Sequence, residues 1–307
     1  MNDFSNPIFH DETLAREWLE ARLWKDGPIC PKCGVVGHAT LLMGKSTRPG
    51  LYQCNACREP FSVTVGTLYE RSHVPLHKWL ATTHLMMASK KGMSALQISR
   101  MIGVTYKTAW FMCHRIRESL RVTDDSQLGG GSTVVEVDET FVGGKDKNRH
   151  ASKRGRQIQK EPVVSLVERN GRVRSEHVSS VNAKTLRAIL TEQIKADTFL
   201  ITDEAPSYPA IGLSFETHQT VQHGIGEYVR GMVHTNTIES YFAILKRGMM
   251  GTFHHVSPTH LKRYVAEFDF RYNERTALGV SDFMRFDRAI PGIVGKRLTY
   301  RRTGLAA

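Results

Sequence analysis

The second half of the chain alternates short β-branched runs with patterns of helical period. Apolar residues three and four apart predict helices at Ala183–Lys195, within Val233–His255 and at Pro258–Arg271. Strands are predicted at Val134–Asp138, Val163–Glu168, Arg172–Val178, Phe199–Asp203 and Thr217–Val221. Between the second and third of these runs, Asn170 and Gly171 form the signature of a type I′ hairpin turn. This order of elements is typical of an α/β domain.

The first half of the chain predicts mostly helices. They are expected at Asp11–Trp24, Leu76–Ser89, Ala95–Ile102 and Tyr106–Arg121. Ser94 and Thr105 are suitable N-caps for the last two, and Gly103 between them predicts a tight turn. This is the helix-turn-helix pattern, whose second helix enters the DNA major groove. A helical hairpin that only packs within the protein explains the same pattern.

Two CxxC pairs lie between the first two predicted helices. They consist of Cys30 with Cys33 and of Cys54 with Cys57. The spacing is typical of a structural Zn²⁺ site with four thiolate ligands, and short strand patterns beside the second pair complete a zinc ribbon. Disulfide pairing is the alternative, which a reducing compartment disfavours. The pattern leaves open whether the ribbon contacts DNA or only supports the next module.

The composition indicates a globular protein with a polyanionic partner. The 307 residues are 40% hydrophobic, and the formal net charge is +12. Nucleic acid fits this charge better than a membrane, because no run of about 18 apolar residues occurs. The first twenty residues are polar and acidic, unlike a signal peptide, so we expect a cytoplasmic, nucleoid-associated protein.

Three carboxylates occupy positions where secondary structure can bring them together. Asp138 and Asp203 each end a strand-like run, and Glu239 lies in a helical pattern. Lys246 follows Glu239 by seven residues, roughly 10 Å along a helix at ~1.5 Å per residue. Oxygen ligands of this kind suit Mg²⁺ or Mn²⁺. Two such ions about 3.5–4 Å apart are an arrangement used for phosphodiester chemistry.

Basic residues in two regions are candidate DNA contacts. Tyr106, Lys107 and Thr108 begin the second helix of the helix-turn-helix and can reach base edges or phosphates. Arg115 and Arg117 further along that helix are predicted phosphate contacts. The basic run from Gly143 to Lys160 predicts either a solvated loop or a flap on the DNA backbone. The flap interpretation assigns DNA contacts to Lys153, Arg154 and Arg156.

A polar, glycine-rich break up to Ser132 separates the two halves of the chain near residue 130. We therefore predict a zinc ribbon with its N-terminal helix at 11–70 and a helix-turn-helix region at 71–125. An α/β catalytic domain is predicted at 131–280. Residues 281–307 are predicted to form a basic C-terminal tail. Its basic run from Lys296 to Arg302 is expected to be disordered or loosely bound to DNA.

Three strings of the sequence resemble the ISXO-like family of bacterial insertion-sequence transposases. They are VVEVDETFVGGK, ITDEAPSY and HTNTIESYFAILKRGMMGTFHHVSPTHLKRYVAEFDFRYNER. The resemblance extends over nearly the whole chain and implies a DDE triad on an RNase H-like fold. By position, the implied catalytic carboxylates are Asp138, Asp203 and Glu239, and the implied basic residue is Lys246.

The resemblance implies an enzyme that binds the terminal repeats of an element and cuts and joins DNA strands. Its expected cofactors are two Mg²⁺ or Mn²⁺ ions in the catalytic site and one structural Zn²⁺. The expected partners are double-stranded DNA and further copies of the chain, in a homodimer or larger assembly, with neither a membrane nor a small-molecule substrate. An RNase H-like nuclease or resolvase is one alternative function. The other is a non-catalytic DNA-binding regulator derived from a transposase.

Overall fold

The computed structural model of the protein describes residues 3–121, 126–143 and 160–299. The chain forms two compact units. The first contains the described residues of Met1–Ser89, Met93–Arg121 and Thr276–Ala307, and the second contains those of Lys90–Gly92 and Val122–Arg275. The predicted ribbon, helix-turn-helix and C-terminal segments fall largely in the first unit. Among the residues described, no helix has both the length and the apolar character needed to cross a membrane.

A three-stranded antiparallel sheet forms the zinc ribbon. Its strands, in order, are β1 (Ala39–Leu41), β2 (Tyr52–Cys54) and β3 (Pro60–Phe61). The rings of Trp24, Tyr52 and Phe61 pack with centroids 5.3, 5.8 and 5.9 Å apart. A sheet this short buries too little apolar surface to be stable alone, so the ribbon needs a further source of stability.

The four ribbon cysteines converge at one point. Their Sγ atoms all lie within 4.8 Å of one another, and Cys30–Cys57 and Cys33–Cys54 are each 3.6 Å apart. Tetrahedral Zn²⁺ with Zn–S bonds of about 2.3 Å places its sulfurs about 3.8 Å apart. A disulfide would need an S–S distance of about 2.0 Å, and all the cysteines are free thiols. The geometry therefore fits the zinc prediction and not the disulfide alternative.

Helices make up the rest of the first unit. They are α1 (Glu12–Leu23), α2 (Leu76–Ala88), α3 (Ala95–Ile102), α4 (Tyr106–Ser119) and α9 (Asp282–Ala289). α2 packs against the other four. Stacking of Trp18 on Phe286, with ring centroids 5.0 Å apart, joins α1 to α9. The same two helices are linked by an ion pair in which Arg22 Nε lies 2.6 Å from Asp287 Oδ1.

The helices α3 and α4 form the predicted helix-turn-helix. The Ser94 side chain accepts a hydrogen bond from the backbone N–H of Gln97, and the Thr105 side chain accepts one from that of Thr108. Gly103 ends α3 with φ +64°, a left-handed conformation that glycine adopts without strain. The predicted caps and the glycine turn are confirmed.

Two basic residues of α4 are buried. Only 9% of Arg115 and 2% of Arg117 is exposed. The Arg115 guanidinium donates hydrogen bonds to the backbone carbonyls of Leu68 at 2.8 Å and of Glu70 and Leu298 at 3.1 Å. The prediction that Arg115 and Arg117 contact DNA phosphates is wrong, because both cations are enclosed and the Arg115 donors are already used within the fold.

The C-terminal segment is folded as far as the structure describes it. It contains α9, and beyond that helix Lys296 Nζ donates hydrogen bonds to the carbonyls of Glu118, Ser119 and Arg121 at 3.3, 3.2 and 2.9 Å. A cation at this position satisfies the free carbonyls at the C-terminal end of α4. The prediction of a basic tail is therefore wrong for residues 281–299.

The second unit is built on a five-stranded sheet. Its strands are β4 (Val134–Val142), β5 (Glu161–Glu168), β6 (Val173–His177), β7 (Phe199–Asp203) and β8 (Thr217–Val221). They lie in the order β6-β5-β4-β7-β8. The first three in the chain pair antiparallel, while β4, β7 and β8 run parallel. This mixed sheet confirms the predicted RNase H-like α/β domain.

Helices cover both faces of this sheet. They are α5 (Ala183–Gln193), α6 (Pro209–Gly212), α7 (Asn236–Gly248) and α8 (Pro258–Asn273). Neighbouring residues of a strand face opposite sides of a sheet. Accordingly, Val164 of β5 packs with α5 and α6, whereas Val163 packs with α7 and α8. The sheet therefore separates two apolar cores.

The turn between β5 and β6 differs from the predicted type I′. That turn requires positive φ at both central residues, but only Asn170 has it, at +60°, and Gly171 does not. A Cβ on Gly171 would lie 2.2 Å from Glu168 Oε2. The glycine therefore leaves room for the Glu168 side chain and does not supply a left-handed backbone.

A buried carboxylate on β4 holds the N-terminal end of α7. Glu136, which is 0% exposed, accepts hydrogen bonds from the Ile238 backbone N–H and the Thr237 hydroxyl, each at 2.9 Å. Its charge is paired with Arg169, whose Nε lies 2.6 Å away. Arg169 also donates to the carbonyls of Met232 and His234. One ion pair thus fixes the sheet, the start of α7 and the segment before it.

A second buried carboxylate, Asp269 on α8, joins that helix to its neighbours. It accepts hydrogen bonds at 2.8 Å from the backbone N–H and the hydroxyl of Ser175 on β6, and a further one from the Tyr241 hydroxyl on α7. Burial raises the pKa of Asp269 to about 6. Both long helices on this face are therefore held by polar contacts as well as by apolar packing.

The ribbon is predicted to fold only with Zn²⁺. Cys54→Ser should release the metal and unfold residues ~25–70, because metal binding supplies much of the folding free energy of such modules. Metal analysis together with circular dichroism measures both effects. Cys113→Ala, which removes the cysteine outside the cluster, should keep one zinc per chain. A wild-type protein without stoichiometric zinc would contradict this prediction.

The Glu136–Arg169 pair is predicted to anchor α7. Glu136→Gln leaves the Arg169 charge without its partner and should lower the free energy of unfolding by about 3 kcal/mol, the scale of a broken buried ion pair. Hydrogen exchange at the Ile238 amide and the denaturation midpoint report the loss. Adding Arg169→Met to this variant should restore part of the stability. Glu192→Gln, which changes an exposed residue of α5, should not alter the free energy of unfolding. Unchanged exchange at Ile238 would refute the anchor.

Candidate active site

Two of the predicted carboxylates lie side by side at the centre of the sheet. In the parallel pairing of β4 with β7, Glu136 lies opposite Ile201. Continuing this register by two residues places Asp138 beside Asp203. Because side chains alternate along a strand, both carboxylates lie on the same face as Glu136, which is the face that α7 covers.

Asp138 lies in a position that perturbs its titration strongly. Burial raises the pKa of Asp138 to about 7, and the negative charges of Asp203, Glu139 and Glu239 add to the shift. The backbone N–H of Glu139, which donates to Asp138 Oδ1 at 2.7 Å, opposes it. Within the described residues, neither Asp138 nor Asp203 forms an ion pair with a basic side chain. Negative charge therefore accumulates at this point of the sheet.

Glu239 completes the group from the first turn of α7. Its side chain is 49% exposed and accepts a hydrogen bond from the Thr235 hydroxyl at 3.1 Å. The His223 Nε2 atom lies 3.8 Å from Glu239 Oε1. The charge of Glu239 acts on Asp138, yet the oxygens of the three carboxylates do not all come within 4.8 Å of one another in the part of the chain that is described.

The sequence interpretation missed His223 and the residue that positions it. The Glu204 carboxylate accepts hydrogen bonds at 2.8 Å from the backbone N–H groups of His223 and Gly224, which hold its pKa low. The His223 ring packs beside Tyr228, with centroids 5.4 Å apart. In the sequence, only the position of Glu204 directly after Asp203 indicated that it could lie near the site. Nothing in the local pattern around His223 indicated its contact with Glu239.

The carboxylate group fits a hard divalent cation. Asp138, Asp203 and Glu239 offer oxygen ligands only. Among the described residues, neither aspartate has an ion-pair partner, and the basic neighbour of Glu239 is His223. A cation such as Mg²⁺ would be held by these three side chains. The cysteine cluster differs in kind, because four thiolates close the coordination of Zn²⁺ and leave no position for a substrate.

Lys246 lies apart from the carboxylates. It is on the exposed side of α7 and lines a cavity of about 690 Å³ that Asp138, Asp203 and Glu239 do not line. The cavity is lined by Lys91, Lys246, Arg247, Met250, Gly251 and Thr252. The step of seven positions from Glu239 to Lys246 corresponds to roughly 10 Å along the helix. The structure therefore brings Asp138 and Asp203 side by side, with Glu239 nearby on α7, and places the lysine in a separate basic site.

The predicted DNA contacts of the helix-turn-helix differ in accessibility. Tyr106 is 55% exposed and Lys107 is exposed, whereas Thr108 is half-buried with its hydroxyl 2.9 Å from that of Thr105. The basic flap predicted around Lys153, Arg154 and Arg156 lies outside the described residues.

Comparison with known proteins gives two domain matches and one relative that aligns over most of its length. The ISXO2-like transposase domain matches residues 127–273, and the transposase zinc-ribbon domain matches residues 10–59. A protein of Halobacterium salinarum is 30% identical over 281 residues, covering 86% of this chain and 91% of its own length. It is described as an uncharacterized protein in the transposable element ISH50.

Solved structures resemble the chain more weakly. A chain of the simian T-cell lymphotropic virus intasome in complex with PP2A regulatory subunit B56 gamma is 14% identical, with a TM-score of 0.32 over 63% of this chain and 70% of that one. The Mos1 transposase paired-end complex with left transposon end gives 12% identity and a TM-score of 0.30 over 70% and 75%. These scores are too low to carry an argument. The relative that matches along most of its length and the two domain matches show instead that the chain belongs to the ISXO2-like transposase family.

Proposed function

We propose that the protein is a DDE transposase that binds the terminal repeats of an insertion sequence and catalyses metal-dependent cleavage and transfer of DNA strands. The observation that carries the proposal is the group of Asp138, Asp203 and Glu239, in which the two aspartates share one face of the sheet and have no ion-pair partner among the described residues, and the glutamate approaches from α7. Membership of a transposase family supports it. The proposed substrate places the protein with the chromosomal DNA in the cytoplasm.

The roles of the side chains follow from their chemistry. Asp138 and Asp203 are held rigidly by adjacent strands, and Glu239 approaches from α7, so the three can hold two Mg²⁺ or Mn²⁺ ions. Such ions, when bound, activate the attacking oxygen and stabilise the leaving one. Lys246 binds a DNA phosphate. Phosphoryl transfer depends mainly on positioning and on charge stabilisation, which this set of residues supplies without a covalent nucleophile.

The DNA partner is duplex DNA of the element ends and of the target. Tyr106, Lys107 and Thr108 at the start of α4 contact it, and the flap residues Lys153, Arg154 and Arg156 close on its backbone. Because strand transfer requires both ends of an element to be held together, we propose that a homodimer or larger assembly forms on DNA.

Loss of one carboxylate charge should abolish the chemistry but not DNA binding. Glu239→Gln keeps the size of the side chain and should slow Mg²⁺-dependent cleavage of a labelled element end by at least on the order of 10³-fold. Asp138→Asn and Asp203→Asn should slow cleavage to a similar extent. Residues that bind the same ions act as a unit, so the effects of losing them are not additive. Lys246→Ala should slow cleavage less, because it removes one charged hydrogen bond and raises the activation free energy by about 2–3 kcal/mol.

Glu192→Gln is the matched control, because it changes an exposed glutamate on the opposite face of the sheet. Gel shifts in parallel separate binding from cleavage, and joined products separate a transposase from a nuclease or resolvase. Wild-type cleavage rates in Glu239→Gln would show that the triad is misassigned. Wild-type protein that binds ends but never cleaves them with Mg²⁺ or Mn²⁺ would favour the regulator.

The start of α4 is predicted to bind DNA through its exposed cation. Lys107→Ala should weaken binding and reduce the slope of log affinity against log salt by about 1, as expected for one lost phosphate contact. Titrations at several salt concentrations measure this slope. Lys184→Ala, on α5, should leave it unchanged. An unaltered slope in Lys107→Ala would indicate that α3 and α4 serve packing alone.

A further inference from the structure

The cavity beside the C-terminal end of α7 has an unusual charge. Three of its six lining residues are cations, Lys91, Lys246 and Arg247, and none is acidic. Within the described residues, no carboxylate forms an ion pair with any of the three. Lys91 lies outside both matched domains, which cover residues 10–59 and 127–273, so neither match assigns it a role.

Close backbone packing fixes Lys91 at this cavity. A Cβ on Gly248, the last residue of α7, would lie 2.6 Å from the Lys91 carbonyl oxygen. Gly92 has φ +89°, and a Cβ there would lie 2.5 Å from the Phe253 ring. Two glycines therefore allow the segment Lys90–Gly92 to pack against the end of α7 and the π-helix Met249–Phe253 that follows it. Lys91 is held in place by its backbone, although its side chain is exposed.

Three like charges around one cavity repel one another unless an anion lies between them. The phosphates of a DNA backbone are the anions that suit this site. The chain carries a net charge of +12, and the cavity is lined by residues of the same helix that carries Glu239. A phosphodiester is bound by basic side chains without regard to sequence.

We propose that Lys91, together with Lys246 and Arg247, forms a binding site for the DNA backbone outside the catalytic carboxylates. The proposal rests on the function proposed above and extends it to a residue beyond the catalytic domain match. The rise along α7 from Glu239 to Lys246 is roughly 10 Å, and one strand of duplex DNA advances about 3.4 Å per nucleotide. A DNA strand that runs along α7 would therefore have about three nucleotides between Glu239 and Lys246.

The test is the salt dependence of binding to a short duplex of arbitrary sequence, because backbone contacts need no specific site. Lys91→Ala and Arg247→Ala should each weaken binding and reduce the slope of log affinity against log salt by about 1. Lys91→Glu should weaken binding further through repulsion. Lys184→Ala, an exposed lysine on the opposite face of the sheet, should match wild type. Thermal unfolding of each variant verifies that it is folded.

The outcomes separate this site from the proposed function. Unchanged slopes in both Lys91→Ala and Arg247→Ala overturn the site, even if the wild type cleaves element ends with Mg²⁺. A wild type that binds no duplex overturns both proposals. Inorganic phosphate alone is the second probe, and its binding is followed by the unfolding temperature. The proposal is wrong if phosphate raises the unfolding temperature of wild type but not of Lys91→Ala, while the salt slopes of DNA binding are equal in the two proteins. The site would then take a small anion instead of DNA.

Discussion

The buried ion pair between Glu136 and Arg169 determines where the candidate active site lies. Glu136 is two residues before Asp138 on β4 and accepts a hydrogen bond from the backbone of Ile238, the residue before Glu239. A single strand therefore places one carboxylate of the candidate site directly and another through the start of α7. Burying this pair costs desolvation free energy, which the hydrogen bonds from Thr237 and Ile238 help to offset.

The parallel pairing of β4 with β7 gives the site its rigidity. Because β4 and β7 are neighbouring strands, their pairing alone brings Asp138 beside Asp203. The separation of the two aspartates is therefore set by the backbone of the sheet. Glu239 is held differently, by the Thr235 hydroxyl and by a helix that follows an exposed segment. The two aspartates are thus the fixed part of the site, and the glutamate is the part whose position depends on side-chain contacts.

Local patterns predicted much of this structure. The strand that ends at Asp203, the caps of the helix-turn-helix and the converging cysteines all follow from residues near one another in sequence. The strand that carries Asp138 was predicted as well, but its predicted end was wrong, because β4 continues to Val142. Long-range partners were not predictable in this way. Arg115 has the same helical spacing whether it faces DNA or three carbonyls, and Glu136 has the alternation of an exposed strand residue although it is fully buried.

The two ends of α7 differ in how the helix treats its charged side chains. A helix carries partial positive charge at its N-terminal end and partial negative charge at its C-terminal end. Glu239 lies in the first turn and is therefore stabilised by the end of the helix on which it lies. Lys246 and Arg247 lie in the last turn of α7, but the helical backbone continues as a π-helix over Met249–Phe253. The carbonyls around these two cations are therefore not the free carbonyls of a helix end, so the helix dipole does not offset the repulsion between the two charges.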